Sequence, residues 1–285
     1  MSISISLIVL LAAVLHAGWN ALLRAGADRL WSMTIMCVAI ALVCAALAPF
    51  APAPASASWG YAALSALLHT GYNLFLVRAY RSGDFGQTYP IARGASPLLV
   101  TVGAALFAHE APAPVALLGV VLISGGIIAL AFQGRTLGRG LGRSALVYAL
   151  GTGGFIGAYS VTDGIGVRLS GTPFGYTIWM CLLWGLAAPA VYGLARGWGG
   201  LVRGPRETLT AAGGGVISLL AYGLIILAMS LSPMGPVSAL RETSVVFAAL
   251  IGRLFLKERL TALRLVACVV VAIGALCIGH ASLRG

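Results

Sequence analysis

Two charged junctions, each lying between long apolar segments, constrain this chain more than any other feature. His109-Glu110 follows Leu106-Phe107, and Lys257-Glu258 follows Leu254-Phe255. Glu258 lies 148 residues after Glu110, and Arg241 lies 148 residues after Arg93. Each arginine sits 17 residues upstream of its glutamate, deep inside the preceding apolar segment. A chain of 285 residues that repeats one pattern at half its length is a two-fold internal duplication. Where the repeated unit is hydrophobic throughout, duplication implies two halves built around a shared site in a membrane.

The solvent has to be lipid. Charged residues make up 9% of the chain and hydrophobic residues 60%, whereas a soluble domain carries about 25% charged residues. Segments long enough to cross a bilayer as helix are read at 3–23, 32–50, 59–80, 85–107, 114–132, 144–167, 174–194, 209–231, 235–256 and 261–280. The expected fold is an all-α polytopic membrane protein of ten transmembrane helices. Residues 1–132 form the first five-helix repeat, 133–143 a basic cytoplasmic linker, and 144–285 the second repeat.

The net charge of +11 is sorted by joint. Fourteen of the 18 basic residues fall in the joints between spans 1–2, 3–4, 5–6, 7–8 and 9–10, while Arg168 and Arg284 alone fall on the opposite side. The positive-inside rule places the fourteen in the cytoplasm and both termini in the periplasm of a bacterial inner membrane. The sorting also excludes a nucleic-acid partner. Five spans per half is an odd number, so the halves enter the membrane in opposite directions. Such inverted repeats give alternating access by symmetry. Met1 to Arg24 lacks a basic leader and holds His16 and Asn20, so it reads as a span and not as a signal peptide. The five cysteines show no metal or redox spacing and read as packing residues. Trp31, Trp59, Tyr61 and Trp198, at span ends, read as an interfacial belt.

Polar groups placed in lipid mark the site. An Arg or Asp at mid-bilayer costs roughly 2.5–3.5 kcal/mol on insertion scales, and four charges fall within spans: Arg93, Asp163, Arg241 and Glu242. Arg241 and Glu242 are adjacent and point about 100° apart on a continuous helix, so they are not expected to pair with each other. Helical spacing groups the remaining polar residues into faces. These are His16 and Asn20 with Trp19 beside them; His69, Tyr72 and Asn73; Tyr89, Arg93 and Ser96, near Pro90 and Pro97; Tyr159 and Asp163; Ser218 and Tyr222; and Ser238 and Arg241. Together they predict a central aqueous cavity between spans 1, 3, 4, 6, 8 and 9. Structural pairing of the four charges is the competing reading of the same pattern. Asp163 and Glu242 are also candidates for proton coupling.

The stretches His16-Ala-Gly-Trp-Asn20, His69-Thr-Gly-Tyr-Asn73, Arg78-Ala-Tyr-Arg-Ser-Gly-Asp84, Tyr89-Pro-Ile-Ala-Arg-Gly94 and Ala239-Leu-Arg-Glu-Thr-Ser244 resemble the drug/metabolite transporter superfamily in its ten-helix EamA-type branch. The chain is also similar to YddG-type exporters of aromatic amino acids. This resemblance implies a basket of helices around a central cavity and efflux of amino acids or similar metabolites.

The function expected is secondary export of small organic solutes, amino acids with aromatic or bulky side chains foremost. A cavity of Trp, Tyr and His with one or two arginines suits a ring and a carboxylate. Efflux of cationic drugs, centred on Asp163 or Glu242, is the alternative; a channel is a more distant one. So is an intramembrane enzyme, because Gly94-Ala-Ser-Pro97 superficially resembles a serine site with His69 or His16 as base. No Walker motif occurs, so no ATP hydrolysis by the chain itself is expected. No catalytic residue, cofactor, metal site or ATPase subunit is expected. The partners expected are the lipid bilayer and a small-molecule substrate, with the protein a monomer.

Overall fold

The computed structural model describes the chain apart from residues 27, 83–84, 133–141, 256–260 and 282–285, and apart from the side chains at 24–25, 76–82, 85–87, 145 and 251–255. The described residues form helices and short 3-10 turns, with no strand among them. The α-helices are α1 (Ile3–Ala25), α2 (Arg29–Leu47), α3 (Trp59–Ser82), α4 (Phe85–Ala108), α5 (Pro114–Ala129), α6 (Arg143–Ser170), α7 (Pro173–Arg196), α8 (Pro205–Leu231), α9 (Met234–Arg241), α10 (Ser244–Phe255) and α11 (Ala262–Ala281). Much of the linker predicted at 133–143, the Glu258 junction and Gly83-Asp84 lie outside the described residues.

Local chemistry sets the helix ends. Ser2, Asp28 and Thr172 cap α1, α2 and α7 by accepting the amides of Ile5, Trp31 and Gly175. Pro114, Pro173 and Pro205 open α5, α7 and α8, where a missing N–H costs nothing. Gly171, at φ +71°, ends α6 in the left-handed conformation. Inside α4, Pro97 supplies no amide to the Arg93 carbonyl. The Ser96 hydroxyl donates to that oxygen instead, at 3.1 Å.

Among the described residues, seven helices are long and apolar enough to cross a membrane: α1, α2, α4, α5, α7, α8 and α11. The protein is thus an all-α polytopic membrane protein, with large apolar residues such as Leu67, Leu186 and Leu276 exposed on its outside. α3 and α6 are of similar length, but their inward faces carry Ser65, His69 and Asn73, and Thr152, Tyr159 and Asp163. Those polar faces lower their hydropathy.

The main helix contacts recur when α1 to α5 are exchanged with α6 to α11. α1 packs on α8 and on α9 and α10, and α6 packs on α3 and on α4. α2 packs on α7 and α8, and α7 packs on α2 and α3. α5 and α11 pack on each other. That last pair meets backbone to backbone: a Cβ on Gly119 would lie 2.6 Å from the Gly274 carbonyl, and one on Gly274 would lie 2.8 Å from that of Gly119. Small residues of this kind let apolar helices approach where no hydrophobic drive separates lipid from protein.

Two expectations from sequence are corrected. The segment 235–256 is not one helix. α9 ends at Arg241, two i→i+3 bonds (Glu242 N to Ala239 O, Thr243 N to Leu240 O) tighten the turn, and α10 starts at Ser244. Trp31 is not an interfacial anchor. It is 2% exposed, and its indole donates to the Leu201 carbonyl at 2.9 Å.

Gly119→Leu is expected to lower stability by roughly 1–3 kcal/mol, the usual cost of overpacking. Gly125→Ala, where nothing lies within 4 Å of the added carbon, is the control and leaves stability unchanged. Thermal unfolding in detergent checks both.

Candidate functional site

A cavity with about 70 Å³ of water-accessible volume lies between α1, α2, α3, α4, α6, α7, α8 and α9. One water needs roughly 10–15 Å³ by this measure, so the cavity holds several. Three kinds of polar chemistry meet there.

The first is an arginine–glutamate–arginine cluster. The Nε of Arg93, on α4, approaches Glu242 Oε2 at 2.6 Å, and its Nη2 donates to the Ser244 hydroxyl at 2.9 Å. Arg241 donates to Glu242 Oε1 through Nε at 3.2 Å and Nη2 at 3.1 Å. Glu242 is 0% exposed. The adjacent pair, unexpected on a continuous helix, forms because α9 stops between them and the turn brings Glu242 back over the Arg241 guanidinium. Two fixed cations on one carboxylate leave a surplus of +1. Both arginines line the cavity, while Glu242 lies behind them.

The second is an aromatic wall. His69 stacks on Tyr159 with centroids 3.9 Å apart, tilts against Trp184 at 4.8 Å and meets Tyr222 edge-on at 5.3 Å. Tyr72 meets Tyr159 edge-on at 5.9 Å. His69 Nδ1 lies 2.9 Å from the Ser65 carbonyl, which only accepts, so Nδ1 carries the proton. His16 meets Trp19 edge-on at 4.8 Å. Besides Arg93 Nε, which is ion-paired to Glu242, three buried polar atoms of cavity-lining residues have no hydrogen-bond partner among the described residues: His16 Nε2, Asn73 Oδ1 and Trp184 Nε1. Buried polar atoms are rarely left so, and such a cluster marks where water or a ligand bonds.

The third is Asp163, which is 0% exposed. It accepts hydroxyls from Tyr176, at 2.9 Å, and from Tyr222, in a short contact. Tyr222 lines the cavity, so Asp163 stands behind it. Neither arginine forms an ion pair with this carboxylate among the described residues.

Of the residues singled out from sequence, His16, Trp19, His69, Tyr72, Asn73, Arg93, Tyr159, Tyr222 and Arg241 line the cavity. Asn20, Tyr89, Asp163, Ser238 and Glu242 do not. The Asn20 amide donates to the His16 carbonyl within α1 at 2.9 Å. The Tyr89 ring lies 5.7 Å from the Arg93 guanidinium carbon. Ser238 is fully buried in α9. Trp184 and Tyr176 escaped the sequence reading. The signal was the stripe Tyr176, Met180, Trp184, spaced i, i+4, i+8 on one face of α7. Ser65 extends the His69–Asn73 face by one turn in the same way. The Ser96 hydroxyl donates to the Arg93 carbonyl of its own helix, and His69 Nδ1 lies 2.9 Å from the Ser65 carbonyl and 3.2 Å from the Ser65 hydroxyl, so Ser96 and His69 bond elsewhere and not to each other among the described residues.

Toward the end of the bundle that carries the basic joints lies a second chamber of about 270 Å³. Leu23 and Met36 line both. Asp28 sits in this mouth, paired with Arg203 at 2.6 Å and with Arg196 in a shorter contact, and Arg203 stacks 4.7 Å above Trp31. Partial burial pushes the Asp28 carboxyl up. The Trp31 amide and the two guanidiniums outweigh this and hold it below the ordinary carboxylate value.

Glu242→Gln is expected to be the most damaging single change in the cavity. It leaves two buried arginines without their anion, and breaking a buried pair costs about 3–5 kcal/mol. Folded yield and thermal unfolding, compared with Asn20→Ala, measure it.

Residues 143–279, from the start of α6 into α11, match the EamA-like transporter family. One solved crystal structure of a protein resembles the whole chain, with a TM-score of 0.77 over 100% of this chain and 99% of its own, at 17% identity. At that identity the likeness concerns the fold alone. A search of curated proteins gave no match.

Proposed function

We propose that this chain is a secondary transporter that exports amino acids with aromatic or bulky side chains, or closely related metabolites, by alternating access. The observation that carries the reading is the +1 surplus of the Arg93–Glu242–Arg241 cluster beside the unpartnered atoms of His16, Asn73 and Trp184. A carboxylate joins such a cluster through charge-assisted bonds, and a ring stacks on the His69–Tyr159–Trp184 wall. The match of 143–279 to the EamA-like transporter family supports transport as the activity. The resemblance to YddG-type exporters supports the substrate class.

The fold supports the rest of the mechanism. Ten spans result when α3, α6 and the broken α9–α10 are counted with the seven apolar helices. The exchangeable packing supports two inverted halves, 1–132 and 144–285, joined by the linker at 133–143. The second chamber, lying between the cavity and the basic end, supports access from that side. With that end in the cytoplasm of a bacterial inner membrane, solute enters from inside and both termini are periplasmic. A reporter fused after Gly285 then behaves as periplasmic; strong cytoplasmic activity reverses every side assignment.

Efflux of cations is the second reading, favoured by the buried Asp163. Its oxygens are already engaged by Tyr176 and Tyr222, and the arginine surplus repels a cation. The test is uptake into proteoliposomes, without ATP, of phenylalanine and of its uncharged amide. Arg93→Lys and Arg241→Lys keep the charge and lose the planar fork. At equal protein levels they should reduce acid transport by about tenfold or more, the factor carried by one lost bond of ~1.4 kcal/mol, and amide transport less. Equal loss of both solutes makes the arginines props of the fold and withdraws the carboxylate assignment.

A further inference from the structure

At the end of the bundle away from the basic joints, four elements meet on one ion pair. Glu110, from the α4–α5 joint, places Oε1 2.6 Å from Arg168 Nη2, and its Oε2 accepts the Met234 amide at 2.8 Å. Met234 is the first residue of α9. Arg168, near the end of α6, donates to the carbonyls of Met229 at 3.0 Å and Ser232 at 2.8 Å, at the end of α8. The glutamate thus sits at the positive end of α9 and the arginine at the negative end of α8, each on the favourable side of its helix dipole. The backbone is shaped to deliver Glu110: His109 takes a left-handed φ of +54°, and the Glu110 amide bonds back to the Ala104 carbonyl at 3.1 Å. That bond closes the end of α4 over six residues. A non-glycine residue held in that conformation is strained, and strain persists where the surroundings fix it.

α9 links this contact to the cavity. All eight of its residues are buried, and at 1.5 Å per residue it is about 12 Å long. Its first residue is held by Glu110, and its last, Arg241, lines the cavity and grips Glu242. A tight turn at Glu242-Thr243 separates it from α10.

We infer that Glu110 holds the non-basic end of the pathway closed by clamping Arg168 and the start of α9, and that α9 is the rigid element through which the cavity and this closure act on each other. The inference deepens the transport reading and rests on it for its purpose. Its test reads access and needs no substrate, so a protein that fails to transport leaves the result interpretable.

A version of the full chain whose native cysteines are replaced carries one cavity cysteine, Ser218→Cys. It is placed in vesicles of known orientation and treated with a membrane-impermeant maleimide from either side. The parent is labelled from the basic side only. Glu110→Gln should add labelling from the non-basic side, at a rate at least about tenfold above the parent, because loss of a charge-assisted clamp moves a two-state balance by that order. Arg168→Gln, which leaves Glu110 in place, should do the same, and serves alone if Glu110→Gln does not fold. A Cβ on Gly235 would lie 3.1 Å from that of Thr101, so an oxidised Thr101→Cys/Gly235→Cys pair pins α9 to α4. With the pin closed, labelling from the non-basic side should vanish again in the Glu110→Gln protein. One-sided labelling in the folded clamp variants overturns the closure, and two-sided labelling that survives the pin overturns the role of α9.

Discussion

The charged side of the cavity is arranged around one carboxylate. Glu242, fully buried, is the counter-ion of both Arg93 and Arg241, which never lose their charge. Two bare guanidiniums in an apolar bundle are costly, and one glutamate settles most of that cost while leaving a single positive charge at the wall of the cavity. The arrangement requires a helix that stops. Were α9 and α10 continuous, adjacent side chains would diverge and Arg241 would be left without its anion. The turn at Glu242-Thr243 is therefore what brings the carboxylate back to the Arg241 guanidinium.

The scaffold is close to symmetric, and its site is not. Arg93 and Arg241 hold mirrored places, yet only the second half supplies the glutamate between them. His16 and Asn20 on α1 correspond to Tyr159 and Asp163 on α6, so the neutral amide of one half stands where the other has a carboxylate. Asp163 is satisfied by tyrosine hydroxyls and Glu242 by guanidiniums. The two buried acids are thereby kept for different work.

Much of this is legible in the sequence because lipid simplifies the problem. A chain that must satisfy its backbone internally has to be helical, so apolar runs locate helices to within about four residues at each end. Polar residues at i, i+3 and i+4 spacing located most of the polar part of the cavity wall, since each such residue in lipid needs a reason, but not its apolar lining from α2 (Met33, Met36, Cys37, Ile40). Turns inside a span were the blind spot. Nothing in Arg241-Glu242-Thr243 breaks a helix by composition, and the partner that makes the break favourable, Arg93, lies 148 residues earlier in register with Arg241. Trp184 and Tyr176 were missed for the opposite reason: aromatic residues in a span read as packing unless the helix beside them is known to carry an acid. Trp31 was misread because its burial depends on the carbonyl of Leu201, a contact between distant segments.

The central claim is that the cavity carries a net positive site for a carboxylate beside an aromatic wall. Equilibrium binding to the purified protein tests it most directly, with phenylalanine, its amide and phenethylamine as ligands measured by calorimetry in detergent. The account predicts that the acid binds tightest and the amine weakest, and that added salt weakens the acid most. The amine binding tightest would contradict it, and would transfer the site from the arginines to Asp163.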